Sequence, residues 1–159
     1  MTELSHLNER GEARMVDVTA KDVTTRSATA RCTVTVSREV AGLLVSGGLP
    51  KGDALAVARI AAIQATKRTP DLIPLCHPIA VHGVDVDVAL DDDGPCVVIL
   101  ATVRTADRTG VEMEALTAAA VGGLTVIDMV KGKDRSAAIS EVVLLEKIGG
   151  RSGHWTRES

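Results

Sequence analysis

Five stretches of this chain bring together residue types that can do chemistry. Lys51-Gly52-Asp53 sets a mobile amine at a helix start, where main-chain N–H groups favour anions. A lysine in an ordinary turn would look the same. Cys76-His77 is framed by Pro74 and Pro78, whose rings hold the segment extended and its side chains in place. His77 in that frame is either a proton carrier near neutral pH or a buried histidine in an awkward loop. Cys76 reads as a small apolar residue rather than a nucleophile. Glu112-Met113-Glu114 opens the longest helix; Thr109 and Glu112 fit a capping box, which leaves Glu114 explained only by the helix dipole. Asp128 and Lys131 are three apart and share a helix face. Asp128 interrupts the apolar run Val126-Ile127 and Met129-Val130 in a last turn, where the dipole disfavours an acid. Such a charge has a partner or a task; a surface ion pair with Lys131, worth about 0–1 kcal/mol, is the plain alternative. Lys147 precedes Gly149-Gly150-Arg151-Ser152-Gly153, a loop of the kind that cradles phosphate or simply ends a chain. It lacks the Gly-Lys-Ser/Thr of a P-loop, so ATPase chemistry is not supported.

The scattered cations Lys51, Lys131, Lys147 and Arg151 point to an anionic ligand, with phosphate the natural guess. One distance constrains any site. Glu114 and Asp128 lie 14 residues apart on one helix, about 21 Å along its axis. They cannot both touch one reacting atom within a subunit. Either one is structural, or the site combines two subunits, or the ligand is long.

The elements that must position these residues follow from periodicity. Residues 28–36 alternate Ala28, Ala30, Cys32, Val34 and Val36 with polar residues, which predicts a half-buried strand. A short helix over 38–46 stops at Gly47-Gly48. A second, over about 54–67, has Asp53 as N-cap and a stripe of Leu55, Ala58, Ala62 and Ala65. Strands over 80–90 and 96–104 form an antiparallel hairpin around Asp91-Asp92-Asp93-Gly94-Pro95. The long helix covers 110–130 and a last strand 138–147. Interleaved strands and helices with an antiparallel pair predict an α+β fold, one sheet of about four strands with helices on one face. Residues 1–14 read as a flexible tail, 15–159 as a single domain, and 148–159 as its Gly-rich, mobile C-terminal tail.

Composition removes several function classes. There are 18 Lys and Arg against 21 Asp and Glu, a net charge of −3, which makes a poor general binder of nucleic acid. One Trp with no Tyr or Phe leaves nothing on which to stack single-stranded bases. The core must be built from Val, Leu, Ile, Ala and Met, whose small side chains let elements approach closely. The three cysteines, Cys32, Cys76 and Cys96, form no Cys-x-x-Cys pair, so neither a disulfide framework nor a zinc knuckle is expected. The polar, acidic start is no secretory signal, and no stretch reaches ~18 uninterrupted apolar residues. The expectation is a cytoplasmic protein with no membrane and no nucleic-acid partner.

Several strings together resemble one family. They are Met15-Val16-Asp17-Val18, Lys51-Gly52-Asp53 with Ala58-Arg59-Ile60-Ala61, Leu72 to Pro78 (LIPLCHP), Thr109 to Thr117 (TGVEMEALT), Asp128-Met129, and Lys147 to Gly153 (KIGGRSG). Across roughly residues 15 to 155 the chain resembles the cyclic pyranopterin monophosphate synthases, the C proteins of molybdenum-cofactor biosynthesis. The resemblance implies a ferredoxin-like α+β subunit in a homo-hexamer, a trimer of dimers with active sites at the dimer interface. It implies conversion of 3′,8-cyclo-7,8-dihydroguanosine 5′-triphosphate to cyclic pyranopterin monophosphate and diphosphate. It places catalytic lysines at Lys51 and Lys131, and the catalytic acid at Asp128. Substrate contacts fall on Leu75, Cys76, His77, Met113 and Glu114, and phosphate or ring contacts on Arg26, His77, Glu112 and Lys147. No cofactor is demanded and no metal site is implied; magnesium is compatible with the triphosphate.

The chemistry suits these residue types. Ring opening and reclosure need protons delivered and removed, with no redox step, and an amine crowded by other cations exchanges protons closer to neutral pH. Cationic side chains stabilise the charge that develops when a hydroxyl attacks the α-phosphorus. The family commonly has Tyr, Cys and Ala near Asp128-Met129, where this chain has Ile127, Val130 and Gly132; Gly122-Gly123 replaces an alanine-rich pair. The competing expectation is a regulatory oligomer that binds a nucleotide or pterin phosphate without turnover.

Overall fold

The computed structural model describes residues 6–158. Nine elements follow one another in the order β1 (Thr24–Thr35), α1 (Arg38–Ser46), α2 (Ala54–Thr66), α3 (Thr69–Leu72), β2 (Gly83–Leu90), β3 (Cys96–Asp107), α4 (Glu112–Val130), β4 (Ala138–Ile148) and β5 (Trp155–Thr156). The strands form one antiparallel sheet in the order β2-β3-β1-β4-β5. With β5 set aside, this is the β-α-β-β-α-β path and strand order of a ferredoxin-like fold. The expectation of about four strands falls one short. The fifth is the two-residue β5, which pairs Trp155 and Thr156 with Lys147 and Glu146 after the Gly-rich loop turns the chain back.

Small residues set the packing. The inward faces of the two central strands are Ala28, Ala30, Cys32 and Val34 on β1 and Val97, Ile99, Ala101 and Val103 on β3, all fully buried or nearly so. They lie in register, Ala30 opposite Ala101 and Cys32 opposite Ile99. Over this face pack α4 and α2. Helix α2 presents Ala54, Ala58, Ala62 and Ala65, four residues apart or nearly so, and α4 presents Ala115, Ala118, Ala119, Gly122 and Val126. By length and composition α4 could cross a bilayer, but half of its most apolar window is buried inside the protein, as for a core helix. The other face of the sheet is polar, with the Thr29–Thr102 hydroxyl pair at 2.9 Å and the Arg31–Glu141 ion pair at 2.7 Å.

The helix ends separate correct expectations from incorrect ones. Gly47 ends α1 in the left-handed region at φ 69°. Asp53 caps α2, its Oδ1 accepting the Ala56 N–H at 3.0 Å. Helix α4 has no capping box: it begins at Glu112, its N-cap position is Val111, and no side chain caps it. The Glu112 carboxylate lies instead over Gly110, where any Cβ would collide with it. Pro70 does not simply follow a helix; it sits in the first turn of the short α3, a position that needs no N–H donor. Of the N-terminal segment, residues 6–14 turn back on themselves through a Leu7–Ala13 bridge, and residues 1–5 lie outside the described residues.

Candidate functional site

The C-terminal end of α4 holds the first cluster. Lys51 sits in the α1–α2 loop, which Leu49 anchors by burial and Gly52, at φ 91°, turns tightly. The Lys51 ammonium donates to the Asp128 main-chain carbonyl at 2.7 Å and to Oδ2 at 3.1 Å. Lys131, the C-cap of α4, approaches Oδ1 at 2.7 Å. Asp128 therefore lies between two ammonium groups, and hydrogen bonding from Lys131, then Lys51, holds its carboxyl below the usual range. All three side chains are about half exposed. An acid inside an apolar run is thus on the surface: α4 turns Val126, Met129 and Val130 inward and Asp128 out.

Asp134 fixes this cluster from behind, and sequence reasoning missed it. Its nearly buried carboxylate accepts the Ser37 N–H at 2.7 Å, the Ser136 N–H at 2.9 Å and the Ser136 hydroxyl at 2.6 Å. Those bonds depress its pKa and tie the loop after Lys131 to the start of α1. The signal was present as Asp-x-Ser, an Asx turn.

The N-terminal end of α4 holds the second cluster, around a cleft of about 430 Å³ lined by Leu75, Cys76, His77, Gly110, Glu112 and Met113 among others. His77 Nε2 lies 2.6 Å from the Val16 carbonyl, which fixes the ring against residues 16–18. Lys147, only 18 % exposed, stands 3.9 Å from Glu112 and hydrogen-bonds Ser152. Arg26 Nε and Nη2 donate to the Asp107 and Arg108 carbonyls at 3.0 and 3.2 Å. Glu114 is 1 % exposed and stands behind the cleft wall. Its Oε1 is 3.6 Å from Cys76 Sγ and its Oε2 has no partner. Burial raises its pKa. Burial, with the Glu114 charge next, pushes the Cys76 thiol up to about 11, so it stays protonated and a poor nucleophile near neutral pH.

The expected site residues thus fall into two groups. Lys51, Asp128 and Lys131 meet at one end of α4; Leu75, Cys76, His77, Glu112, Met113, Glu114, Lys147 and Arg26 gather around the other. Among the described residues, no hydrogen bond or ion pair joins the two groups. Ile127 is half-buried, Val130 is fully buried, and Gly132 faces open space, so these departures from the family pattern leave the lysine–aspartate cluster intact. Among the described residues, no group of three His, Cys, Asp or Glu side chains gathers as a metal site would.

The chain is thus a ferredoxin-like domain with a carboxylate between two lysines at one end of α4 and a cleft beside His77 and Glu112 at the other. Comparison with known sequences makes this specific: the MoaC family pattern matches residues 15–150, and the chain belongs to that family. It is 58 % identical over 155 residues to a protein of a Nocardioides species, covering 97 % of this chain and 95 % of the relative. It is 61 % identical over 154 residues to one of Streptomyces avermitilis, covering 97 % and 89 %. It is 55 % identical over 158 residues to one of Thermomicrobium roseum, covering 99 % and 95 %. All three relatives are named cyclic pyranopterin monophosphate synthase.

Proposed function

We propose that this chain is a lyase of molybdenum-cofactor biosynthesis. It converts 3′,8-cyclo-7,8-dihydroguanosine 5′-triphosphate to cyclic pyranopterin monophosphate and diphosphate in the cytoplasm. The observation that carries the reading is Asp128 held between Lys51 and Lys131 at 3.1 and 2.7 Å. With its pKa depressed, Asp128 stays anionic and fixes two amines side by side. The amines are the proton carriers: ring opening and reclosure move protons on nitrogen and oxygen without a change of oxidation state. For cyclisation, a ribose-derived hydroxyl loses its proton and attacks the α-phosphorus. The bond to the β-phosphate oxygen breaks and diphosphate leaves, with cations balancing its charge. The reading assigns no resident metal; magnesium would arrive with the triphosphate.

The second cleft would hold the substrate through His77, the Leu75-Cys76 backbone and Met113, with Arg26, Glu112 and Lys147 at its rim. Because the two clusters stand at opposite ends of α4, the complete site would need two subunits. Two features support assembly. The chain exposes 9545 Å², against roughly 7,600 Å² for a compact monomer of its mass. Ile60 on α2 and Leu124 on α4 are 65 % and 58 % exposed, an apolar helical surface suited to a second copy. We assign a homo-hexamer, a trimer of dimers.

The test is diphosphate release from the cyclised triphosphate beside a Lys51→Ala control. Release by the wild type and loss in the variant are expected. Tight binding without release would replace the enzyme with a binding-only oligomer.

A further inference from the structure

Two amines reach Asp128 from loops that are far apart in the chain. Lys131 comes from the end of α4, and the turn continues beyond it, with the Lys133 and Asp134 N–H groups donating to the Val130 carbonyl at 2.8 and 2.9 Å. Lys51 comes from the loop that follows α1. Helix α1 is a lightly held element. Of its nine residues only Val40 is fully buried, and Leu43 and Leu44 are half-buried. Apolar burial is non-directional, so these contacts fix the depth of α1 and not its position along the surface. A helix moves as a rigid unit, so a shift at its start reaches the loop that carries Lys51.

Asp134 holds that start. Its Oδ2 accepts the Ser37 N–H at 2.7 Å, and its Oδ1 accepts the Ser136 N–H at 2.9 Å and the Ser136 hydroxyl at 2.6 Å. Ser37 is the N-cap of α1, and its own Oγ accepts the Val40 N–H at 3.2 Å. One oxygen of the carboxylate therefore serves α1 and the other serves the loop after Lys131. Among the described residues, two side-chain links join residues 37–53 to residues 128–136. They are Asp134 to Ser37 at the entry of α1, and Lys51 to Asp128 beyond its exit. Asp134 is 6 % exposed; the flanking cations Lys133 and Arg135 are exposed and make no ion pair with it among the described residues. Its oxygens are engaged by N–H and O–H donors, whose geometry is directional. A carboxylate withdrawn from water in this way holds both loops in one arrangement.

We propose that Asp134 is a positioning residue for the reaction: through the Ser37 N–H and Ser136 it sets the spacing at which Lys51 and Lys131 meet Asp128. It touches no substrate itself. This rests on the lyase reading and deepens it by assigning what keeps the two proton carriers in register. Misplacing a reacting group by about 1 Å costs about 100-fold in rate, so a tie behind the cluster acts on kcat without reaching the reacting atoms.

The experiment compares wild type with Asp134→Ala, with the milder Asp134→Asn, which keeps one acceptor oxygen, and with Ile99→Val, which lowers stability from within the sheet core. Steady-state kinetics are run below every melt. Labelling with acetic anhydride, read by mass spectrometry, reports the freedom of the Lys51 amine without any turnover. Asp134→Ala should lower kcat about 10-fold and leave KM within about 2-fold, because the ligand-holding cleft lies at the other end of α4. Asp134→Asn should fall between it and wild type, and Ile99→Val should keep kcat within about 2-fold. In an Asp128→Asn background, Asp134→Ala should cost no more than about 2-fold further, since the two act as one unit. Lys51 should label faster in Asp134→Ala, with Lys67 at the end of α2 unchanged. An unchanged kcat, a loss matched by Ile99→Val, or a loss that multiplies in full with Asp128→Asn would overturn the assignment, as would unchanged Lys51 labelling. Failure of the reaction itself reads differently. Wild type without turnover, but with Lys51 still freed by Asp134→Ala, would sink the lyase and leave the tie between the two loops standing.

Discussion

One amine of Lys51 binds Asp128 twice, at 2.7 Å to its main-chain carbonyl and at 3.1 Å to its carboxylate. The carbonyl belongs to the last turn of α4, where main-chain oxygens carry the negative end of the helix dipole. The contact thus ties the α1–α2 loop to the helix end and orients the carboxylate toward Lys131 in one step.

Asp128→Asn keeps the shape and removes the charge that aligns the two amines. We expect kcat to fall by about 100-fold or more, the usual worth of positioned acid–base groups. The thermal midpoint should barely move, since exposed ion pairs add little to stability. Diphosphate release and a thermal melt read the two quantities. An unchanged kcat would take Asp128 out of the chemistry.

Two carboxyls should pull stability in opposite directions with pH. Asp134 has a depressed pKa, so its contribution is present above its unfolded pKa and lost as pH falls through the folded one. Glu114 has a raised pKa, so the unfolded chain releases this proton first, and stability falls as pH rises past the ordinary carboxylate range. Urea unfolding over a pH series should show Glu114→Gln flattening the high-pH decline and Asp134→Asn flattening the acid-side loss. A Glu114→Gln protein with the wild-type slope would mean the buried acid is not what titrates.

The adjacent glycines of α4 should respond differently to alanine. A Cβ at Gly123 would stand 2.5 Å from Sγ of the fully buried Cys32 and 3.2 Å from Ile139 Cδ1. Gly123→Ala should cost about 1–3 kcal/mol. At Gly122 the nearest atom is 3.1 Å away on Ile99 and the next 3.4 Å away on Ala62. There the gain in helix propensity, about 1 kcal/mol, offsets a small shift, and Gly122→Ala should be near neutral. Denaturant midpoints decide it; equal losses at both sites would contradict the geometry.

Mixing subunits tests whether the two ends of α4 serve different sites. Lys131→Ala and His77→Ala proteins are each expected to be inactive. If each site takes one cluster from either partner of a symmetric dimer, random reassembly should restore about a quarter of the sites. No recovery after verified subunit exchange would place both clusters in separate functions.

Much of this was legible from local rules. Gly47 and Asp53 stop and start helices through contacts within four residues, and both stand as read. The alternation at Ala28, Ala30, Cys32 and Val34 marked the buried face of β1. What failed depended on distant partners. Glu112 had the spacing of a capping box, but a carboxylate also attracted by Lys147 folds over Gly110 instead. The first residues of β1, Thr24 to Ser27, show no alternation, and become strand only because Arg104 to Asp107 pair with them.

The span of α4 carries a further consequence. Its rise separates the two clusters, and its helical phase points Asp128 outward while Val126 and Val130 face the sheet. A single inserted residue at mid-helix would rotate one end against the other by about 100° and lengthen the gap by about 1.5 Å. The residue count of α4 is therefore as constrained as the side chains at its ends, because the helix is a ruler as well as a core element.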